Sequence, residues 1–160
     1  MPRHAETRRL PYTPEQMFDL VADVVRYPEF LPWVAAVRVR ANDVTDITAD
    51  LVIGFGGFKE RFTSRVVKQR ATRLSVDYID GPLKFLRNDW TFAPDGAGGC
   101  RVGFRVEFAF RSKIFEAVAG QVFDRALRHM IAAFEGRAAQ LYGAGASVSG
   151  ISSSSAHSAA

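Results

Sequence analysis

The stretch Ser112–Tyr142 constrains this chain more than any other, because its apolar residues repeat with the period of one long helix. Phe115, Val118, Ala119, Val122, Ala126, Met130 and Ala133 follow the i, i+3, i+4, i+7 spacing of a single face. Gly120, Asp124, Arg128 and Glu135 fall on the opposite one. Ser112 can cap the start, and Gly143 stops the helix just past Tyr142. A helix of roughly 30 residues is about 45 Å long, against a mean of about 11–12 residues in globular proteins. It needs a broad apolar surface to lie on.

The preceding chain reads as the sheet that supplies that surface. Ala5–Leu10 is expected to be a first strand, ending at Pro11. Thr13-Pro14-Glu15-Gln16 then carries a helix start: Thr13 caps, Pro14 takes the first helical position, and Gln16 closes a capping box. Met17, Phe18, Leu20 and Val21 make that helix amphipathic, and it should end near Asp23–Arg26. Pro28 and Pro32 preclude a regular helix or central strand across Tyr27–Trp33. From Val34 the period changes to two. Val37, Val39 and Ala41, then Ile47, Ala49, Leu51, Ile53 and Phe55, alternate with mostly polar neighbours. Gly56-Gly57 reads as a hairpin turn, Glu60–Gln69 as its return strand, and Leu74, Val76 and Tyr78 as the next. Asp80-Gly81-Pro82 turns into Phe85–Phe92, and Pro94–Gly99 turns into the last strand. There Val102, Phe104, Val106, Phe108 and Phe110 form one fully apolar face. Strand, helix, meander and long helix together predict an α+β layer architecture.

At 160 residues and 48% hydrophobic, the chain suits one domain, expected over residues 1–143, with core enough of its own. Residues 144–160 are almost entirely Gly, Ala and Ser and are expected to be a disordered tail. The net charge of +4 is spread over strands without a basic run, which reads as a solvated strand face and argues against DNA as a partner. Cys100 is the sole cysteine, so no intramolecular disulfide is possible and a reducing compartment is expected. No apolar run reaches the ~20 residues of a membrane span, and Met-Pro-Arg-His-Ala-Glu lacks a signal core. The expectation is a soluble protein, cytoplasmic or peripheral on the inner face of the cytoplasmic membrane.

The catalytic inventory is thin. Of three histidines only His129 falls within the predicted fold, beside the apolar stripe of the long helix. Either it is a core histidine with a local partner, or it donates to a polar ligand head. Asp77, Asp80 and Asp89 lie scattered near strand ends and form no evident acid–base couple. No spacing of His, Cys or Glu suggests a metal, so neither metal nor cofactor is expected. Apolar excess is plentiful, with thirteen phenylalanines, two tryptophans and four tyrosines. They cluster at Tyr27–Trp33, Phe55–Phe58 and Leu83–Leu86, at predicted turns and strand ends. A curved sheet and a long helix with bulky apolar linings can leave a ligand cavity between them.

Three motifs carry a family resemblance: Tyr27-Pro28-x-Phe30-Leu31-Pro32-Trp33, Gly81-Pro82-Leu83-x-x-Leu86-x-Asn88-x-Trp90-x-Phe92, and Phe123 with Met130-x-x-Ala133-Phe134-Glu135-x-Arg137-Ala138. On these the chain resembles the coenzyme Q-binding branch of the START-like, polyketide cyclase-related helix-grip superfamily, over roughly residues 5–143. Where many relatives have cysteine after the tryptophan, this chain has Ala35 one place on, so no thiol chemistry is expected there. The resemblance implies a curved antiparallel sheet of six to seven strands wrapped around the long helix. It also implies non-enzymatic binding of ubiquinone or a related polyprenyl lipid, in support of respiratory electron transfer or quinone biosynthesis. Bacterial ribosome-association toxins look similar and make the ribosome an alternative partner. An aromatase/cyclase-like enzyme is a further alternative, and would need polar acid–base groups inside the cavity. The expected ligand site comprises Tyr27, Phe30, Leu31, Pro32 and Trp33 as wall and lid. Phe55, Phe62, Leu83, Leu86, Trp90, Phe104, Phe108, Phe115, Val118, Val122 and His129 complete the lining. Phe58, Leu83 and Phe85, beside Lys59 and Lys84, are expected to touch a membrane.

Overall fold

The computed structural model describes residues 2–55 and 58–143, except for the side chains of Phe55 and Phe58. The Gly56-Gly57 turn, the tail from residue 144 and the parts expected of the Phe55 and Phe58 side chains therefore lie outside the described residues. Seven strands and two α-helices follow in the order β1 (Arg3–Leu10), α1 (Pro14–Ala22), β2 (Val34–Asn42), β3 (Asp46–Phe55), β4 (Phe58–Gln69), β5 (Arg73–Asp80), β6 (Leu83–Pro94), β7 (Cys100–Phe110) and α2 (Lys113–Tyr142). The strands make one antiparallel sheet ordered β1-β7-β6-β5-β4-β3-β2, curved around α2. Strands β2 to β7 meander, and β1 returns to the far edge beside β7.

Register shows why one face of the sheet is apolar. Residues directly opposite one another on paired strands share a face. Ile47 faces Val66, Val66 faces Val76, Leu74 faces Trp90, and Trp90 faces Phe104. Glu6 faces Phe104 and Arg8 faces Val102, so β1 adds charged side chains to this largely apolar face. The other face carries Arg38, Asp50, Thr63 and Arg65. There Asp50 is buried and accepts from the Thr63 hydroxyl (2.7 Å) and Arg40 Nε (2.9 Å). Those partners hold its carboxyl below the ordinary value.

Helix α1 begins as its sequence dictates. Thr13 Oγ1 accepts from the Gln16 N–H (3.1 Å), and Gln16 Oε1 accepts from the Thr13 N–H (3.0 Å). Its large apolar residues Met17, Phe18, Leu20 and Val21 are all buried. A 3-10 helix follows over Val24–Glu29 and includes Pro28, so the two prolines exclude an α-helix but leave room for this tighter turn. The β5–β6 turn needs Gly81: its φ is +145°, and a Cβ there would meet the Tyr78 hydroxyl at 2.8 Å and the Arg61 carbonyl at 3.0 Å.

The phase of α2 differs from expectation. Its buried residues are Leu127, Phe134 and Ala138, flanked by the partly buried Phe123, Met130, Ile131 and Tyr142. Val118, expected inside, is 45% exposed, and Val122 is only half-buried. Glu135, expected to face water, packs inward instead. Alanines mark a helical face weakly, and the stripe through Ala119, Ala126 and Ala133 competes with a bulkier one through Phe123, Leu127 and Phe134. The bulkier stripe buries more area, at about 25 cal/mol per Å², and takes the core.

This phase predicts that Leu127→Asp unfolds the protein or lowers its stability by more than about 3 kcal/mol, because it buries an uncompensated charge. Val118→Asp should cost under about 1 kcal/mol in the same urea titration. Equal losses from the two variants would contradict the phase.

Candidate functional site

Phe134 of α2 sits where the sheet, the helix and the loop after α1 meet. Its ring lies edge-on to Trp90 (centroids 5.2 Å), Tyr27 (5.6 Å) and Phe30 (5.3 Å). Trp90 in turn packs on Phe104 at 4.7 Å, and its indole N–H donates to Asn88 Oδ1 at 3.2 Å. The loop is held from both sides. The Tyr27 hydroxyl donates to the Val21 carbonyl, and burial pushes its phenol pKa up. Arg137 donates to Glu29 at 2.7 Å and lies over the Phe30 ring at 5.2 Å. Tyr27, Phe30, Leu31 and Trp33 thus belong to the packed core or its margin, while Pro32 is exposed and does not line the cavity beside this cluster. The structure places Tyr27–Trp33 as a clamped plug against α2.

A small cavity of about 40 Å³ lies beside this cluster, between β1, β7 and α2. That is well short of the ~150 Å³ that accommodates benzene in an engineered apolar cavity. Leu10, Met17, Trp90, Val102, Phe104, Met130, Ile131 and Phe134 form its apolar lining, and Glu6, Arg8 and Glu135 its one charged wall. Arg8 bridges the two carboxylates: Nε donates to Glu6, and Nη1 donates to Glu135 Oε2 at 3.0 Å. Glu6 Oε1 also meets His4 Nε2 at 2.6 Å. Burial opposes ionisation of Glu6, but its bonds to His4 and Arg8 outweigh burial and hold its carboxyl below the ordinary value. Burial dominates at Glu135 and pushes its carboxyl up, with Arg8 offsetting only part of the effect.

Farther along β7, the concave face continues through Val106, Phe108 and Phe110 beneath the N-terminal half of α2. Phe123 rests on Phe108 (5.7 Å) and Phe115 on Phe110 (5.9 Å), yet no residue of α2 before Leu127 is buried. Ile114 is 73% exposed. This end of the sheet thus carries a half-buried aromatic groove, whereas the other end of α2 carries the buried Leu127, Phe134 and Ala138.

Of the expected lining residues, Trp90 and Phe104 reach the cavity, Phe108, Phe115 and Val122 lie half-buried along the groove, and Phe62 and Leu86 sit half-buried on the sheet. His129 is exposed and points away from both, because the real phase of α2 turns it outward. Leu83 is 3% exposed, with its N–H donating to the Tyr78 hydroxyl at 2.9 Å, so it is a core residue and cannot dock to a membrane. Phe85 is half-buried, while Lys59 and Lys84 are exposed. The exposed apolar groups at this rim are Ile79 and Ile114. The Arg111 N–H, donating to the Pro82 carbonyl at 3.0 Å, ties the start of α2 to the β5–β6 turn between them.

The charged wall escaped sequence reasoning because Arg8 and Glu135 stand 127 positions apart. Its traces were the every-second-residue spacing of Glu6, Arg8 and Leu10 and the Glu135 of the third motif. Cys100 is buried, and burial pushes its thiol up, away from nucleophilic use. Among the described residues no three His, Cys, Asp or Glu side chains gather as a metal site, and no helix is long and apolar enough to cross a membrane.

Since Phe134 joins three layers, Phe134→Ala should cost about 3–5 kcal/mol. The half-exposed Val122→Ala should cost under about 1 kcal/mol in the same melts. A loss below about 1 kcal/mol at Phe134 would show that the aromatic cluster is not the anchor.

Comparison with known proteins agrees with this architecture. The family model described as polyketide cyclase/dehydrase and lipid transport matches residues 10–135. The ribosome association toxin RatA of Escherichia coli K12 is 34% identical over 144 residues, covering 90% of this chain and 91% of its own length. The mitochondrial coenzyme Q-binding protein COQ10 homolog B of Xenopus laevis is 32% identical over 144 residues, covering 88% of this chain and 59% of its own. An 18 kDa protein of Caulobacter crescentus with a solution structure is 40% identical, with a TM-score of 0.72 over 90% of this chain and 100% of that one. The Zhui aromatase/cyclase of a Streptomyces species shares the fold, with a TM-score of 0.77 at 16% identity over 90% of this chain and 98% of that one. Sequence match over residues 10–135, with the sheet-and-helix geometry, establishes that this chain belongs to the polyketide cyclase/dehydrase and lipid-transport family.

Proposed function

We propose that the protein binds an apolar prenyl lipid of the ubiquinone class beneath the N-terminal half of α2 and carries it without transforming it. One observation carries this reading: the aromatic concave face runs on through Phe108 and Phe110 under a helix half that buries none of its own residues. A ligand there covers Phe115, Val118, Val122 and Phe123, which are otherwise partly wet. At about 0.8 kcal/mol per buried CH₂, each isoprene unit contributes on the order of 3–4 kcal/mol before ordering costs. Two units suffice to dominate affinity. The charged groups at the cavity are tied to one another, and no activated nucleophile accompanies them, which fits carriage better than catalysis. The lipid-transport description of the family and the coenzyme Q-binding name of the frog relative support the same ligand class. Such a ligand resides in a bilayer. The rim of Ile79, Phe85 and Ile114, with Lys84, Arg111 and Lys113 beside it, is the surface that would meet lipid.

A second reading, ribosome association, is favoured by the RatA relatives and by exposed arginines on the strands. Arg38, Arg61, Arg87 and Arg101 are exposed and form no ion pair with other described residues. Binding of this kind should weaken steeply with salt, its log–log slope steepening by about one unit for each phosphate that an arginine neutralises.

Equilibrium binding separates the two. A ubiquinone with two isoprene units should bind at least tenfold tighter than the unprenylated ring. Val122→Asp should remove most of that gain while leaving the melting temperature within a few degrees, and Ile114→Ser should slow extraction from liposomes. Absence of quinone binding, together with salt-sensitive co-sedimentation with ribosomal subunits, would overturn the carrier reading in favour of the second.

A further inference from the structure

The convex face of the sheet, turned away from α2, carries an open hollow of about 480 Å³ over β7. Gly103 lies at its floor, directly opposite Thr7 of β1 on one side and Thr91 of β6 on the other. A Cβ at Gly103 would collide with the Thr91 hydroxyl, so the hollow depends on the missing side chain. Arg73, Asp89 and Arg105 form one wall. Glu6 and Phe104 also border it, but their side chains belong to the concave face, where Glu6 is bonded to His4 and Arg8. Asp89 is spent on its neighbours: Oδ1 accepts from Arg73 Nη2 (2.8 Å) and the Ser75 hydroxyl (2.9 Å), and Oδ2 accepts from Arg105 Nη2 (3.3 Å). One carboxylate thus orients two arginines, whose side chains stay 52% and 59% exposed. On the other side of Gly103, Arg101 of β7 sits directly opposite Arg9 of β1. Like charges in that register oppose folding. Arg9 finds Asp95 at 3.6 Å, while Arg101 is exposed and forms no ion pair with other described residues. Glu107, the next convex residue after Arg105, is itself flanked by Arg3 and Arg87. Four arginines therefore rim the hollow against the carboxylates of Asp89 and Asp95.

Resting on the second reading above for the choice of polymer, we infer that this hollow binds the phosphodiester backbone of RNA. Arg101 and Arg105 are four residues apart on β7, about 13 Å at 3.3 Å per residue. A nucleic-acid strand carries a phosphate about every 3.4 Å along its axis, so some four phosphates span that distance, whereas a free phosphate meets only part of the rim. Arginine suits this partner, because its planar fork pairs two phosphate oxygens at once. The Thr7 and Thr91 hydroxyls supply neutral donors of the kind that position a backbone without reading its sequence. Among the described residues that line the hollow, none presents a large apolar side chain on the convex face, so nothing there can enter a bilayer. The exposed Ile79 and Ile114 lie at the rim of the groove instead. Because the hollow and the groove occupy opposite faces of one sheet, RNA and lipid do not compete for space.

The test is equilibrium binding of a fluorescently labelled RNA duplex of about 20 base pairs across a salt series. The unmodified protein should show a log–log salt slope of about −3 to −4, close to one unit for each of four arginines. Arg101→Gln should reduce the magnitude of that slope by about one, and Thr7→Glu, which adds a carboxylate without breaking an ion pair, should weaken binding at least fivefold. Arg128→Gln removes the same charge from the exposed side of α2 and should change RNA affinity less than twofold. All three variants should keep their melting temperatures within a few degrees and bind the two-isoprene ubiquinone as the unmodified protein does. Equal losses from Arg101→Gln and Arg128→Gln overturn the inference, since they report diffuse charge and no site. Displacement of the duplex by an equal concentration of inorganic phosphate overturns it in favour of a small-anion site. Phosphatidylglycerol vesicles that bind as tightly as RNA and lose binding in the same variants overturn it in favour of a membrane surface. Ribosomal subunits that co-sediment undiminished with Arg101→Gln and Thr7→Glu overturn this site alone. Failure of the unmodified protein to bind either RNA or subunits overturns the second reading with it.

Discussion

Edge-on contacts from Phe134 to Trp90, Tyr27 and Phe30, at 5.2, 5.6 and 5.3 Å, join helix, sheet and loop through one side chain. Such pairs contribute about 0.5–1.5 kcal/mol each beyond the area they bury, and here they converge on a buried ring. The polar contacts of the same helix end reinforce them. Arg137 reaches Glu29, Arg8 reaches Glu135, and the Tyr142 hydroxyl donates to the Gln16 carbonyl at 2.9 Å. All of these lie in the C-terminal part of α2, which also holds every buried residue of the helix, whereas the start is tied to β7 by the Phe110 N–H donating to Glu116 Oε1 at 2.8 Å.

That asymmetry gives the fold a way to accept a bulky apolar ligand without maintaining a large void. An empty cavity sized for a prenylated ring forfeits contact on all its walls, and core voids cost stability in proportion to their volume. The protein instead closes to a cavity of about 40 Å³ and leaves the N-terminal half of α2 resting lightly on Phe108 and Phe110. A segment with few buried apolar contacts opens at lower free energy than the core it borders. On the proposed carrier reading, the Phe134 end remains shut while the Phe115 end moves.

Much of the fold was legible in the chain. The capping box at Thr13 and Gln16 forms as written, and the alternation of Val102, Phe104, Val106, Phe108 and Phe110 marks the concave face. The limits of α2 at Ser112 and Gly143 also hold. Its phase was not legible, because alanine fits either side of a helix and the decision belongs to the shape of the sheet. His129 moved outward and Glu135 inward for that reason. Leu83 read as a loop aromatic-cluster neighbour free to touch a membrane, yet the Tyr78 hydroxyl and the turn at Gly81 draw it into the core. The Arg8–Glu135 bridge depends on β1 crossing to the far edge beside β7, a long-range pairing that no local pattern reports.

In the proposed carrier, α2 is anchored at Phe134 and opens at Phe115 to admit a ligand. Amide hydrogen exchange along α2, with and without a short-tailed ubiquinone, measures this directly. Fast exchange is expected over residues 116–126 and slow exchange over residues 131–140 in the free protein, with ligand slowing the first segment by tenfold or more and barely changing the second. Uniform protection along the helix, or a ligand effect confined to residues 131–140, would contradict it.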